Sequence, residues 1–500
     1  MGILKRTDGS TVLFDDRERE GADVSEDPAL INSWLRRLWK KEKTSTSVFE
    51  IKNQQFLFHL ASVLTDWFPR TGSWLLDSII PPILGHRLLV ERTFRKNLKI
   101  VSRVKQFKKI LVVPDIHIGD TVMMQGAVKV FRDFFPEAQI DYAVKRSVAG
   151  LIEGNPSITR VFPCFTGTLL PSPSDFESVK KILTGNDYDF CFNGSSLFQA
   201  GNPFPRDLAV LHFLSAGPQL VRNGKDRVGI NHFLYQSYSF MEDLLRKSGF
   251  KNHGGPFKGV PVTLSDEAFK KAGDFLRDEN VPKNKPIVFL NPDTASPYTV
   301  IPVQYQVRII QELLKMDCAI ILAASFTFKD IGERILDSLT QEEIGKIFVL
   351  TPQLPIEVYA ALIDLSDVFI SGDTGPLHIA AARKVSKSGN IEFKNRTFVI
   401  SVFGATPARM SGYDSTDPLF LPANQDAPSR TYISKSPCRN ITCLNKMVKT
   451  CKTPRCFEVL DVDAMVEDIK THLGSPTKKK FRGIPEPIRF QSRLQLGSLN

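Results

Sequence analysis

From Lys109 onward, short apolar runs alternate with helix-patterned runs, and this alternation constrains the fold more than any other feature of the chain. "KILVVPD" reads as a buried strand, "IHIGD" as a loop and "TVMMQGAVKVFRDFF" as a helix. "AQIDYAV" is a second strand, "SVAGLIEGN" a short helix, "ITRVFPC" a third strand and "DYDFCFNGS" a fourth. Such a pattern predicts a parallel sheet covered by helices on both faces. The helix "SDEAFKKAGDFLRDEN" and the segment "VPKNKP" then read as a link. After it the alternation restarts with the strands "PIVFLNPD", "CAIILAAS", "KIFVLT", "DVFISGD" and "RTFVISVFG". Two doubly wound units in succession leave a cleft between the C-terminal ends of their strands, where such sheets take ligands.

Length agrees, since 500 residues exceed what one hydrophobic core holds. The apolar and charged fractions, 42% and 24%, are those of a globular chain. No run reaches the roughly 18 to 20 apolar residues that span a bilayer. The first twenty residues lack the basic-then-apolar order of a secretion signal. The net charge of +11 is concentrated in two flanks: residues 86–109 carry a net +8 and residues 474–500 a net +5, which leaves the body slightly acidic. Basic flanks of this kind suit an anionic surface, either lipid or nucleic acid. The organisation predicted is a helical, basic N-terminal extension (1–108), a first unit (109–262), a second unit (263–472) and a basic tail (473–500). In the extension Val90, Phe94, Leu98 and Val101 share one helical face. That face predicts either packing on the next unit or an in-plane membrane helix.

Two loops stand where the cleft requires them: "IHIGDT" after the first strand of the first unit, and "SGDTGPLH" after a strand of the second. The second has two readings. Asp373 or Thr374 caps a helix with Pro376 in its first turn, or the free N–H groups and nearby His378 hold an anion. For Asp120 the plain alternative to chemistry is likewise a helix cap.

With both loops placed, residues 109–470 resemble glycosyltransferase family 9, the lipopolysaccharide heptosyltransferases of GT-B fold. The resemblance is carried by "ILVVPDIHIGDTVMMQGAV", "VFRDFFPEAQIDYAV", "LIEGNPSITRVF", "FLNPDTAS", "LPIEVYAALIDLSDVFISGDTGPLHIAAA" and "VFGATPARMSGY", in the family's order. It implies two Rossmann-like domains with a central cleft, the first facing an acceptor and the second holding a nucleotide-activated sugar of ADP-heptose type. It further implies that N–H groups of Thr374, Gly375 and Leu377 hold the donor diphosphate. His378 would donate to it and Asp373 would orient the sugar or the loop. Thr294 and Leu354 would be further donor contacts. Fixed donors aimed at a leaving diphosphate lower the barrier as its charge grows. Asp120 matches the family's catalytic Asp, a general base for single displacement with inversion. His117 is a loop residue that could steady it. Catalysis in this family typically needs no metal or other cofactor.

The departures concern the donor. The family's cation, three residues before a Trp, is replaced by Thr299, with Ile301 in place of the Trp. Arg383 and Arg409 are the candidate substitutes. The acidic residue after the next strand has no match in "AASFTFKD", and "KVSKSGNIEFKNR" is an unusual insertion. Cys438, Cys443, Cys451 and Cys456 have the spacing C-x4-C-x7-C-x4-C. They fit a structural zinc or iron tetrathiolate, two disulfides or free thiols. A Cys-rich segment here also looks like one found in parts of the family, outside the reaction centre.

The leading expectation is an inverting, metal-independent transferase moving a heptose-like sugar to a lipid-linked acceptor at the cytosolic face of a bacterial inner membrane. A protein acceptor and a non-catalytic sugar-nucleotide or envelope-assembly binding protein are the alternatives. Nucleic acid is set aside, because the flanks lack interleaved stacking aromatics.

Overall fold

The structure is a computed structural model. It describes residues 95–474, apart from several short stretches and from 214–220, 417–427 and 436–455, together with the strands Ile3–Lys5 and Thr11–Leu13. Most of the N-terminal extension and the basic tail therefore lie outside the described residues.

The first unit contains β1 (Lys109–Val113), β2 (Gln139–Lys145), β3 (Arg160–Phe165), β4 (Phe190–Asn193) and β5 (Ala209–His212). They form one parallel sheet in the order β3-β2-β1-β4-β5. The second unit is entered through β6 (Pro261–Leu264) and continues with β7 (Ile287–Asn291), β8 (Ala319–Ala323), β9 (Ile347–Leu350) and β10 (Val368–Ser371). β11 (Arg383–Ser386), β12 (Glu392–Phe393), β13 (Phe398–Phe403) and β14 (Ser429–Ile433) complete it. Six of these make a parallel sheet ordered β9-β8-β7-β10-β13-β14.

Both sheets are buried on both faces, as parallel sheets require. In β1, Ile110 and Val112 join one core while Leu111 and Val113 join another. In β7, Phe289 faces one core and Val288 and Leu290 the other. The inward cores of the two units merge into a single cluster that includes Ile110, Phe131, Phe289, Phe369 and Leu377. The fold is GT-B: two doubly wound units facing each other.

Several elements differ from the sequence expectation. The predicted helix 121–135 is two helices, α1 (Ile118–Met123) and α2 (Gln125–Phe134). Helical bonding starts early, with Thr121 N–H donating to the His117 carbonyl at 2.9 Å, so Gly119 and Asp120 belong to α1 and not to a loop. The break after Met123 lies where α4 (Phe233–Lys247) crosses. A Cβ on Gly126 would stand 2.5 Å from Ser237 Oγ and 2.7 Å from the Leu234 carbonyl. Among the described helices are α1, α2, α3 (Pro173–Thr184), α4, α5 (Asp266–Asp278), α6 (Val303–Leu314), α7 (Ile356–Leu365), α8 (Gly375–Ala381) and α9 (Val462–Gly474), of which the apolar pattern did not mark α3, α4 and α9, nor several of the strands. The "insertion" after α8 is structural. It supplies β11 and β12, which with β6 form a three-stranded sheet.

In the basic segment, residues 95–101 are helical. Val101 is fully buried in the first unit's core, with Leu98 packed against it. Phe107 stacks on Phe135 at 4.4 Å. This part of the segment packs on the protein and offers no apolar face to a bilayer. Val90 and Phe94 lie outside the described residues. Among the described residues no helix is long and apolar enough to cross a membrane.

Candidate active site

β1 lies between β2 and β4, and β10 beside β7, so each sheet reverses its winding direction at the strand that carries a signature loop. Crevices of doubly wound sheets open at such points. The loops leaving β1 and β10 therefore face the same gap.

After β1 the chain turns at Asp115–His117 and enters α1. The cap position is His117, whose side chain makes no capping bond. Asp120 is the third residue of the helix and is not its cap, so capping does not account for its carboxyl. The Asp120 side chain is partly buried. Burial pushes its pKa up to about 7, and the Asp115 and Asp373 carboxylates add to the rise. Asp373 belongs to the other unit, so this coupling crosses the gap. Burial holds His117 below its ordinary value against the opposing pull of Asp115, and Lys145 at the end of β2 lowers it further.

The turn after β10 is held from beneath by a buried chain of hydrogen bonds. Tyr359 Oη of α7 donates to Asn291 Oδ1 at 2.8 Å, and Asn291 Nδ2 donates to Ser371 Oγ at 3.1 Å. Ser371 Oγ lies 2.9 Å from Thr374 Oγ1, which accepts the Leu377 amide at 3.3 Å. Thr374 is thus the N-cap of α8, with Pro376 in the first turn. Of the amides predicted to serve a ligand, that of Leu377 is engaged by the cap. A seven-residue helix contributes little as a dipole, so recognition here would depend on individual groups.

His378 is buried within α8, and its Nδ1 lies 2.9 Å from Tyr413 Oη. Burial holds its pKa down at about 4 despite Asp373, which acts to raise it. The imidazole is neutral near pH 7. The two helices then meet directly. A Cβ on Gly375 would lie 2.6 Å from Ile118 Cβ, and one on Gly119 would lie 2.7 Å from His378 Cδ2. Glycine at both positions is what lets the backbones close on each other.

The remaining predicted residues are distributed unevenly. Thr294 is buried, receives a hydrogen bond from Thr299 Oγ1 at 2.9 Å, and its methyl borders Gly372 of the turn. Leu354 stands just before α7, half-buried against the merged core. Thr299 and Ile301 are both buried, so the position of the family's cation is an interior one here. Arg383 does not replace that cation. It lies beyond the far end of α8, pairs with Glu392 at 3.2 Å, and lines a separate cavity of about 260 Å³ with Lys129 and Asn155. The Arg409 side chain lies outside the described residues. So do Cys438, Cys443 and Cys451, while Cys456 is buried. Among the described residues no group of three or more His, Cys, Asp or Glu is placed to hold a metal. Tyr413, His232 and Lys145 went unnoticed in the sequence, because nothing local distinguishes them.

Residues 256–448 match the family model described as glycosyltransferase family 9 (heptosyltransferase). The chain carries a glycosyltransferase family 9 domain. That domain is of glycosyltransferase type. The matched span includes the 373–378 turn and begins after Asp120. Among curated protein sequences none matches this chain. A solved family 9 glycosyltransferase from Veillonella parvula is similar at 16% identity and a TM-score of 0.51, over 74% of this chain and 98% of that one. This likeness extends the shared fold across both units. E. coli ADP-heptose lipopolysaccharide heptosyltransferase II is similar at 15% identity and a TM-score of 0.47, over 73% of this chain and 98% of that one. E. coli heptosyltransferase WaaC with ADP is similar at 15% identity and a TM-score of 0.44, over 73% and 99%.

Proposed function

We propose that the chain is an inverting transferase that moves a heptose-like sugar from a nucleotide-diphosphate donor of ADP-heptose type to a lipid-linked acceptor. In this reading residues 109–262 face the acceptor and 263–472 hold the donor. One observation carries it: α1, which bears Asp120, closes directly on α8, which follows Asp373, so that a Cβ on Gly375 would lie 2.6 Å from Ile118 Cβ and one on Gly119 2.7 Å from His378 Cδ2.

Asp120, raised to about 7, is matched to removing a proton from an incoming hydroxyl near neutral pH. Amides of Thr374 and Gly375, with His378, serve the diphosphate. Asp373 orients the sugar or the turn, and Thr294 and Leu354 complete the donor side. In-line attack on the anomeric carbon then inverts its configuration as the diphosphate leaves. The deciding experiment is a thermal-shift screen of nucleotide sugars followed by turnover with the best binder. Asp120→Asn should bind that donor and transfer nothing, and unimpaired transfer would remove Asp120 from the mechanism.

A second reading is favoured by the interior position of Thr299: without the family's cation the site binds a sugar nucleotide and does not turn it over. Donor binding by the wild-type chain with no transfer to any saccharide, lipid or protein acceptor would select it. The basic flanks suit an acceptor in an anionic membrane at the cytosolic face, and a protein acceptor is the alternative. The four-cysteine segment is read as a structural zinc or iron site. Elemental analysis should find about one metal ion per chain, lost in Cys456→Ser.

A further inference from the structure

Behind the first turn of α8 three aromatic rings from three parts of the chain form a buried cluster. His378 comes from α8, Tyr413 from the segment after β13, and His232 caps α4 of the first unit. Each is less than 5% exposed. Tyr413 is fixed by its backbone: its N–H donates to Ser401 Oγ at 3.4 Å and its carbonyl accepts from Thr431 Oγ1 at 3.0 Å. His232 packs on the Tyr413 ring with centroids 4.7 Å apart, and lies 6.4 Å from His378. Water is thereby kept from the phenol.

The two edges of the His378 ring face different surroundings. Nδ1 points inward to Tyr413 Oη at 2.9 Å. Cδ2 and Nε2 face Gly119 of α1 across the junction, where a Cβ would stand 2.7 and 3.3 Å away. A neutral imidazole carries one N–H, and the hydrogen bond at one nitrogen decides which. Among the described residues, His378 is the hydrogen-bond partner found for Tyr413 Oη. If Nδ1 kept the proton, the buried phenolic O–H would have no acceptor, which is the costlier arrangement. The reverse arrangement satisfies both groups.

We propose that Tyr413 is a positioning residue whose hydroxyl donates to Nδ1 of His378, locking the imidazole as the Nε2–H tautomer. His378 is then a neutral donor presented to an oxyanion where α1 and α8 meet. This rests on the reading that the 373–378 turn serves a nucleoside diphosphate. With the other tautomer, a lone pair on Nε2 would face the phosphate oxygens and repel them. Burial of both rings supports the assignment, since it keeps the phenol protonated and the imidazole neutral.

The test is ¹⁵N NMR of the full-length chain labelled at its histidines, with His378 assigned by the signals lost in His378→Gln. In the wild type, Nε2 of His378 should carry the proton and Nδ1 should be bare. Tyr413→Phe should give a mixture of tautomers and a roughly tenfold lower kcat/KM. A proton on Nδ1 in the wild type overturns the proposal, and so does a Tyr413→Phe protein that keeps pure Nε2–H. The wild-type spectrum needs no variant to fold. Undiminished turnover in His378→Gln would refute the diphosphate reading of the turn instead, whatever the tautomer.

Discussion

Gly119 of α1 and Gly375 of α8 face each other across the junction of the two units, close enough that neither tolerates a side chain. A methyl group on Gly375 would stand 2.6 Å from Ile118 Cβ and 3.3 Å from the Gly119 amide nitrogen. Both neighbours are backbone or branched at Cβ and cannot swing aside. Gly375→Ala should therefore push the helices apart and lower kcat/KM at least tenfold. Because the strain is relieved at the junction, the thermal midpoint should fall by only a few degrees. Steady-state kinetics beside a melting curve separates the two effects.

The pH dependence follows from Asp120. Its carboxyl is a base only when ionised, and its pKa is raised to about 7 by burial, then by Asp115 and Asp373. On the proposed mechanism kcat/KM should rise with pH and level off above about 7. His378, held at about 4, adds no second limb in this range. Asp115→Asn removes one neighbouring negative charge, so the midpoint should move down. An upward shift or a flat profile in that variant would contradict the coupling.

Thr374 ties the turn to its support. Its Oγ1 caps α8 and meets Ser371, which continues to Asn291 and Tyr359. Thr374→Ala should cost about 1 kcal/mol, the usual price of a lost cap. Thr374→Ser keeps the oxygen and should recover most of it. Chemical denaturation measures the stability, and donor titration should show the same ranking.

Lys384 is a fully buried cation whose Nζ donates to the carbonyls of Ile379, Ala380 and Ala382 at 2.7, 3.2 and 3.0 Å. All three carbonyls lie at the C-terminal end of α8. Lys384→Met fills similar space and removes all three of these charge-assisted bonds, so a loss of about 2–3 kcal/mol is expected in denaturant unfolding. Burial lowers the lysine to about 8, with Asp364 opposing. The unfolded chain binds this proton more tightly, so between about pH 8 and 10 this residue makes stability rise with pH. The rise should be absent in Lys384→Met.

The basic extension is divided by Val101, which is buried in the first core. Deleting residues 1–94 should leave folding intact and weaken binding to anionic vesicles, measured by co-sedimentation. Unchanged sedimentation would mean that these residues do not serve the membrane.

Local pattern alone was enough to declare the doubly wound units and both signature loops, because buried parallel strands must be continuously apolar and their helices periodic. Resemblance carried the family and named Asp120 and the 373–378 turn. Other features carried no local signal. The pairing of β6 with β11 turns an apparent insertion into a sheet, since ladder bonds join residues more than a hundred positions apart. The interior position of Thr299, the removal of Arg383 to another cavity and the approach of Tyr413 and His232 to His378 are likewise decided by packing. Apolar periodicity records whether a residue is inside. Which residue from elsewhere in the chain lies against it is decided only when the two units close over a common core.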